Sequence, residues 1–135
     1  MTKILVGTDT SARAERALEQ AARMARADGA DLVVLYVRPS LDAREAVDAE
    51  KAPDPVTYLE RIRGLHGDVR MRIRTEDGDA AEEIVRVAAD EHTDVIVVGN
   101  RGLQGRRRGF LRSVPARVAN RAPCSVFIAD TRAAA

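Results

Sequence analysis

The segment from Gly99 to Ser113 concentrates residues that suit phosphate binding. It holds four glycines and five arginines in fifteen residues. Glycines let backbone N–H groups approach a phosphate closely, and a helix that begins after Ser113 would add amide donors and a favourable dipole. Arg101 and Arg106 to Arg108 are candidate screens for phosphate charge. The same composition also suits a solvated surface loop, and the residues alone leave both interpretations open.

A second polar segment, from Gly7 to Ser11, directly follows the first apolar run of the chain. Thr8, Asp9, Thr10 and Ser11 place one carboxylate and three hydroxyls at the start of a predicted helix. Such side chains suit either helix capping or contacts with a ligand, and the residues alone do not separate the two.

Five short runs rich in β-branched and aliphatic residues predict strands. Four of them are expected to be buried on both faces. The remaining run alternates apolar residues with arginines, which predicts a strand near a sheet edge with one face towards solvent. The four buried runs are Ile4–Gly7, Leu32–Val37, Val95–Val98 and Val126–Ala129, and the alternating run is Val69–Ile73.

Helical patterns lie between these strands. Apolar residues recur at helical spacing from Ala14 to Ala25, and Gly29 stands where a C-terminal cap belongs. Asp79 and Glu82 have capping-box spacing before another helix. Two further helices are predicted, a short one suggested by Val56, Leu59, Ile62 and Leu65, and one capped by Ser113 with Pro115 in its first turn.

The alternation of strands and helices predicts an α/β fold, a doubly wound parallel sheet with helices on both faces. In such sheets, ligands bind beyond the carboxyl ends of the strands, where the strand order reverses. We therefore expect the segments that follow the first and fourth strands to meet at one site.

Composition argues against several classes of function. The net charge is +1, and two Tyr, two Phe and no Trp leave few aromatic platforms, so nucleic-acid binding is not expected. The single Cys124 excludes an intramolecular disulfide, and no apolar run approaches a membrane span. No export signal is recognised, and a cytoplasmic location is expected.

Phosphate-transfer motifs are also missing from the sequence. There is no GxxxxGK[ST] loop, no His-x-Gly-His pair and no acidic pair of the kind that phosphorylation receivers use. We predict no catalytic residues and, at most, weak ATP hydrolysis.

The spacing of Gly99, Gly102 and Ser113 resembles the motif of ATP-binding universal stress proteins: Gly, two residues, Gly, nine residues, then Gly followed by Ser or Thr. Three flanking segments are similar to that family as well, namely Ile4–Asp9, Asp94–Gly99 and Ala122–Val126. The resemblance covers nearly the whole chain and is weakest from Leu41 to Gly67. It implies one Rossmann-like domain over residues 1–131 with strand order 3-2-1-4-5 and a short tail at 132–135.

The resemblance also implies an ATP site, with Mg²⁺ as a candidate companion ion. Asp9, next to Thr8, would lie near the adenine or the metal, and Val37 would pack near the base. The positions that would hold ribose and phosphates are Gly99, Gly102, Ser113 and the backbone of Val114.

Arg112 departs from the motif because it stands at the third glycine. Its side chain could block the approach of the backbone to a phosphate, or its guanidinium could contact that phosphate directly. Two functions follow: an ATP-binding regulatory protein of the stress response, or a nucleotide-free interaction protein whose pocket Arg112 closes. In both cases we expect a homodimer through the last strand, Cys124 to Asp130, because that edge has no internal Pro or Lys and family members commonly pair there.

Overall fold

The computed structural model describes residues 2–9, 12–38, 55–100 and 114–130. Predictions for the other residues, among them Thr10, Ser11 and most of the glycine-rich segment, lie outside the described part of the chain. The described elements are, in order, β1 (Lys3–Thr8), α1 (Ala12–Asp28), β2 (Asp31–Arg38), α2 (Pro55–Leu65), β3 (Met71–Asp77), α3 (Ala80–Asp90), β4 (Val95–Gly99), α4 (Val114–Arg121) and β5 (Ser125–Ala129).

The five strands form one parallel sheet in the order β3-β2-β1-β4-β5. The predicted doubly wound fold and its strand order are therefore confirmed. The alternating strand β3 lies at a sheet edge, as expected. Central β1 contributes Ile4, Leu5 and Val6, all fully buried, because a parallel sheet is covered on both faces.

Helices cover the two faces in pairs. Side chains alternate along a strand, so Ile4 and Val6 pack with α1 and α2, whereas Leu5 packs with α3 and α4. Each face thus has its own hydrophobic cluster, with β1 contributing to both. No helix among the described residues combines the length and apolarity needed to cross a bilayer.

Helix ends follow the capping signals of the sequence. Gly29 adopts a φ of 63°, and the amide of Ala30 donates to the carbonyl of Ala25 at 2.9 Å, which closes the end of α1. The carboxylate of Asp79 accepts a hydrogen bond from the amide of Glu82 at 3.0 Å and caps α3. Pro115 lies in the first turn of α4, where a missing amide costs nothing.

One burial prediction is wrong. The last strand is not buried on both faces, since Phe127 and Ile128 are 41% and 48% exposed at the edge strand β5. The eight-residue helix α4 is too short to cover that edge completely. In α2, Val56 and Leu65 at the two ends are exposed, and the buried residues are Tyr58, Leu59 and Ile62.

Candidate functional site

Doubly wound sheets have a crevice where the strand order reverses, which in this sheet is between β1 and β4. Strand β1 pairs with β2 as far as Thr8, which lies opposite Tyr36. Among the described residues, however, its pairing with β4 runs only from Ile4 to Val6, while β4 pairs with β5 as far as Gly99. The two central strands therefore separate at their carboxyl ends, which is where doubly wound sheets bind ligands.

The β1 side of the crevice contains a buried polar pair, Thr8 and Tyr58. Thr8 is 1% exposed, and Tyr58 of α2 lies beside it. Burial raises the pKa of Tyr58, the Thr8 hydroxyl opposes that shift, and the negative charges of Glu15 and Asp9 add to it. Tyr58 is 5% exposed next to the end of β1, and Arg61 lies 5.4 Å from the centroid of its ring.

Apolar contacts build the other face of the site. Val37 at the end of β2, Val98 of β4 and Val114 at the start of α4 are all buried in the cluster beneath α3 and α4. Past Gly99, the amide of Asn100 donates to the carbonyl of Ala129 at 2.8 Å, which holds the beginning of the glycine-rich segment against β5. Val114, the residue that follows the segment, is buried at the start of α4.

Asp79 joins α3 to α4. Its two carboxylate oxygens accept hydrogen bonds from Arg117 at 3.1 and 2.9 Å, in addition to the capping bond from Glu82. Burial disfavours the charged form of Asp79, but the bonds from Arg117 and from the amide of Glu82 outweigh burial and hold the pKa of Asp79 below its ordinary value. The pair is charged and bidentate, the strongest geometry for such a contact.

The predicted site residues that the structure describes lie at one edge of the sheet. Thr8, Asp9, Val37 and Gly99 end or follow strands at the carboxyl edge, and Val114 opens α4. Four other predicted residues lie outside the described part of the chain, namely Arg101, Gly102, Arg112 and Ser113. Among the residues described, no group of three or more His, Cys, Asp or Glu is placed to hold a metal ion.

The sequence analysis missed Tyr58 and Arg117, which both lie at this edge of the sheet. Tyr58 is four residues from buried Ile62, a helical spacing that could have indicated its burial but not its contact with Thr8. The link between Asp79 and Arg117 spans 38 residues, and no spacing rule relates positions so far apart.

Comparison with known proteins agrees with this architecture. The family model described as "Universal stress protein family" matches residues 1–130. The chain belongs to the universal stress protein family. A universal stress protein of Mycobacterium tuberculosis is 34% identical over 140 residues, which cover 95% of each chain. Family membership therefore rests on sequence as well as on fold.

Solved structures of other family members include nucleotide complexes. One universal stress protein in complex with cAMP is 26% identical to this family member, with a TM-score of 0.76 and coverage of 97% of this chain and 98% of the other. The universal stress protein from Archaeoglobus fulgidus in complex with dAMP is 25% identical, with a TM-score of 0.65 and coverage of 95% and 97%. Both of these similar proteins were solved with an adenine nucleotide.

Proposed function

We propose that this protein binds an adenine nucleotide, ATP in particular, in the crevice between β1 and β4, and that it acts as a regulatory protein of the stress response in the cytoplasm. The observation that carries the proposal is the separation of β1 and β4 at their carboxyl ends, beside the start of α4. The cAMP and dAMP complexes of similar proteins support an adenine nucleotide as the ligand.

The proposed roles of the individual residues are those that the family resemblance implies. The carboxylate of Asp9 would contact the adenine or a Mg²⁺ ion that accompanies the phosphates, and Val37 would pack near the base. Gly99 and Gly102 would let the backbone approach ribose and phosphates, while Ser113 and Val114 would offer the amide end of α4. Thr8, buried at the end of β1, would contact the nucleotide beside Asp9, and Arg101 would screen phosphate charge.

We also propose that two copies of the chain pair through β5. Phe127 and Ile128 are large apolar side chains exposed on this edge strand. The opposite edge of the sheet, β3, carries Arg72 and Arg74 in ion pairs with Glu91. Charged edges discourage pairing between sheets, so β5 is the edge suited to a second copy.

Calorimetric titration of the purified protein with ATP and Mg²⁺ tests the nucleotide site. We expect micromolar binding, weakened about tenfold (about 1.4 kcal/mol) in Asp9→Asn. Asp28→Asn is the matched control, because it removes the same charge from an exposed position at the far end of α1. Equal losses in the two variants would contradict the role of Asp9.

The same titration with Arg112→Gly separates the two functions that the sequence leaves open. Binding by the parent places Arg112 among compatible or helpful contacts. Binding by Arg112→Gly alone means that Arg112 closes the pocket and that the parent works as a nucleotide-free dimer. If neither protein binds ATP, AMP or cAMP, the proposed nucleotide site is wrong.

A further inference from the structure

The ion pair between Asp79 and Arg117 links the starts of two helices at the carboxyl edge of the sheet. Asp79 immediately precedes α3, and Arg117 lies in the first turn of α4, three residues after Val114. The side chains of Asp79 and Arg117 are 23% and 32% exposed, so the pair is partly shielded from solvent. A partly buried, bidentate pair of this kind constrains geometry more than an exposed pair does.

Among the described residues, the ion pairs that reach α4 are made by Arg117, with Asp79 and, at 4.0 Å, with Glu82. Val114, Pro115 and Val118 pack against the core, and such apolar contacts are not directional. The two hydrogen bonds from the Arg117 guanidinium to the Asp79 carboxylate are directional, so they fix the position of the first turn of α4.

The pair also changes the net charge near the start of α4. The carboxylate of Asp79 lies at the same edge of the sheet as the start of α4 and would repel a phosphate group placed there. Arg117 neutralises that carboxylate at a distance of 2.9 Å. Without Arg117, a negative charge would be left near the amide groups that suit an anion.

We propose that Asp79 and Arg117 are a positioning pair for the phosphate end of the bound nucleotide, an inference that rests on the proposed function. The pair orients the first turn of α4 and removes the repulsion between Asp79 and the phosphate. Neither residue needs to touch the nucleotide for this effect. The pair therefore favours nucleotides over nucleosides.

The test compares the affinities for AMP and adenosine by calorimetry. We expect Arg117→Met to weaken AMP binding about tenfold and to leave adenosine binding within about twofold. The double variant Asp79→Asn/Arg117→Met should recover part of that loss, because Asn still caps α3 and the repelling charge is gone. Arg86→Met is the matched control, since Arg86 lies on α3 and pairs with Glu83, Asp90 and Glu76 without reaching α4.

The effect of the pair on the position of α4 is tested separately, in the protein without ligand. Amide hydrogen exchange in α4 should be faster in Arg117→Met than in the parent and unchanged in Arg86→Met. Parallel losses for AMP and adenosine, or unchanged exchange in α4, would each overturn the positioning pair while leaving the nucleotide site intact. No recovery in the double variant would overturn the repulsion between Asp79 and the phosphate. A parent protein that binds neither ligand would overturn both proposals.

Discussion

Gly7 is a residue that the packing of α3 on β1 requires to be small. A Cβ at this position would lie 3.0 Å from Cδ1 and 3.4 Å from Cγ1 of Ile84, so the Ile84 side chain would have to shift. Because the neighbouring core is closely packed, we expect Gly7→Ala to lower the free energy of unfolding by about 1–3 kcal/mol in urea titrations.

Gly64→Ala is the control for that measurement. No atom lies within 4 Å of a Cβ built at Gly64, and the residue lies within α2. Alanine there should stabilise the protein by about 0.5–1 kcal/mol through helix propensity. Adding Ile84→Val to Gly7→Ala removes the methyl group that is 3.0 Å away. If this addition brings no recovery, the contact with Ile84 is not the cause.

Asp79 should make stability depend on pH in the acid range. The hydrogen bonds from Arg117 and from the amide of Glu82 outweigh burial and hold its pKa below the ordinary value of 3.8. Its contribution is therefore complete about one pH unit above the unfolded-state pKa of 3.8 and is lost as the pH falls through the lower pKa of the folded state.

Urea titrations of the parent and of Asp79→Asn isolate that contribution. The variant keeps a capping side chain and every other carboxylate. We expect the parent to lose stability relative to Asp79→Asn between about pH 5 and pH 2 and no relative change above pH 5. A difference that stays constant over the whole range would contradict the assigned pKa direction.

At the scale of the elements, Glu91 connects β3, α3 and β1. Its side chain is 7% exposed and forms ion pairs with Arg72, with Arg74 at 3.0 Å and with Lys3 at 3.5 Å. Arg72 and Arg74, two of the arginines that predicted a face towards solvent on β3, thus share a buried carboxylate. The contact ties the end of α3 to the edge strand.

Replacing Glu91 by Gln should be costly because it leaves cations without their shared counter-charge. We expect Glu91→Gln to lower the free energy of unfolding by about 2 kcal/mol, less than for a fully buried pair because Arg72 is largely exposed. Glu60→Gln, an exposed position on α2, should change stability by less than about 0.5 kcal/mol. Thermal or urea unfolding that shows similar effects for both would contradict a stabilising role for Glu91.

At the scale of the whole molecule, the two edges of the sheet differ in chemistry. The β3 edge is charged, and the β5 edge exposes Phe127 and Ile128. We expect light scattering at micromolar concentration to give the mass of two chains for the parent and of one chain for Ile128→Lys, because a charge in a paired edge disrupts the contact. Leu65→Lys, at an exposed apolar residue on α2, should stay dimeric. A monomeric parent would refute the dimer.

The sequence by itself determined the order and type of the elements and the class of sheet. Helical periodicity, as in Ala14–Ala25, and helix caps, such as Gly29 and Asp79, depend on neighbours within a few residues. Such helices and their ends can therefore be predicted from the sequence. Topology alone also gave the expected position of a ligand site, at the carboxyl edge of the sheet.

Only the tertiary structure decided what depends on distant contacts. The exposure of Phe127 on β5, the burial of Tyr58 beside Thr8 and the pairing of Asp79 with Arg117 each result from elements far apart in sequence. The local sequence pattern shows the hydrophobic period of an element. Which neighbouring element covers its apolar face, and which charged side chains form ion pairs, is decided only when the elements pack.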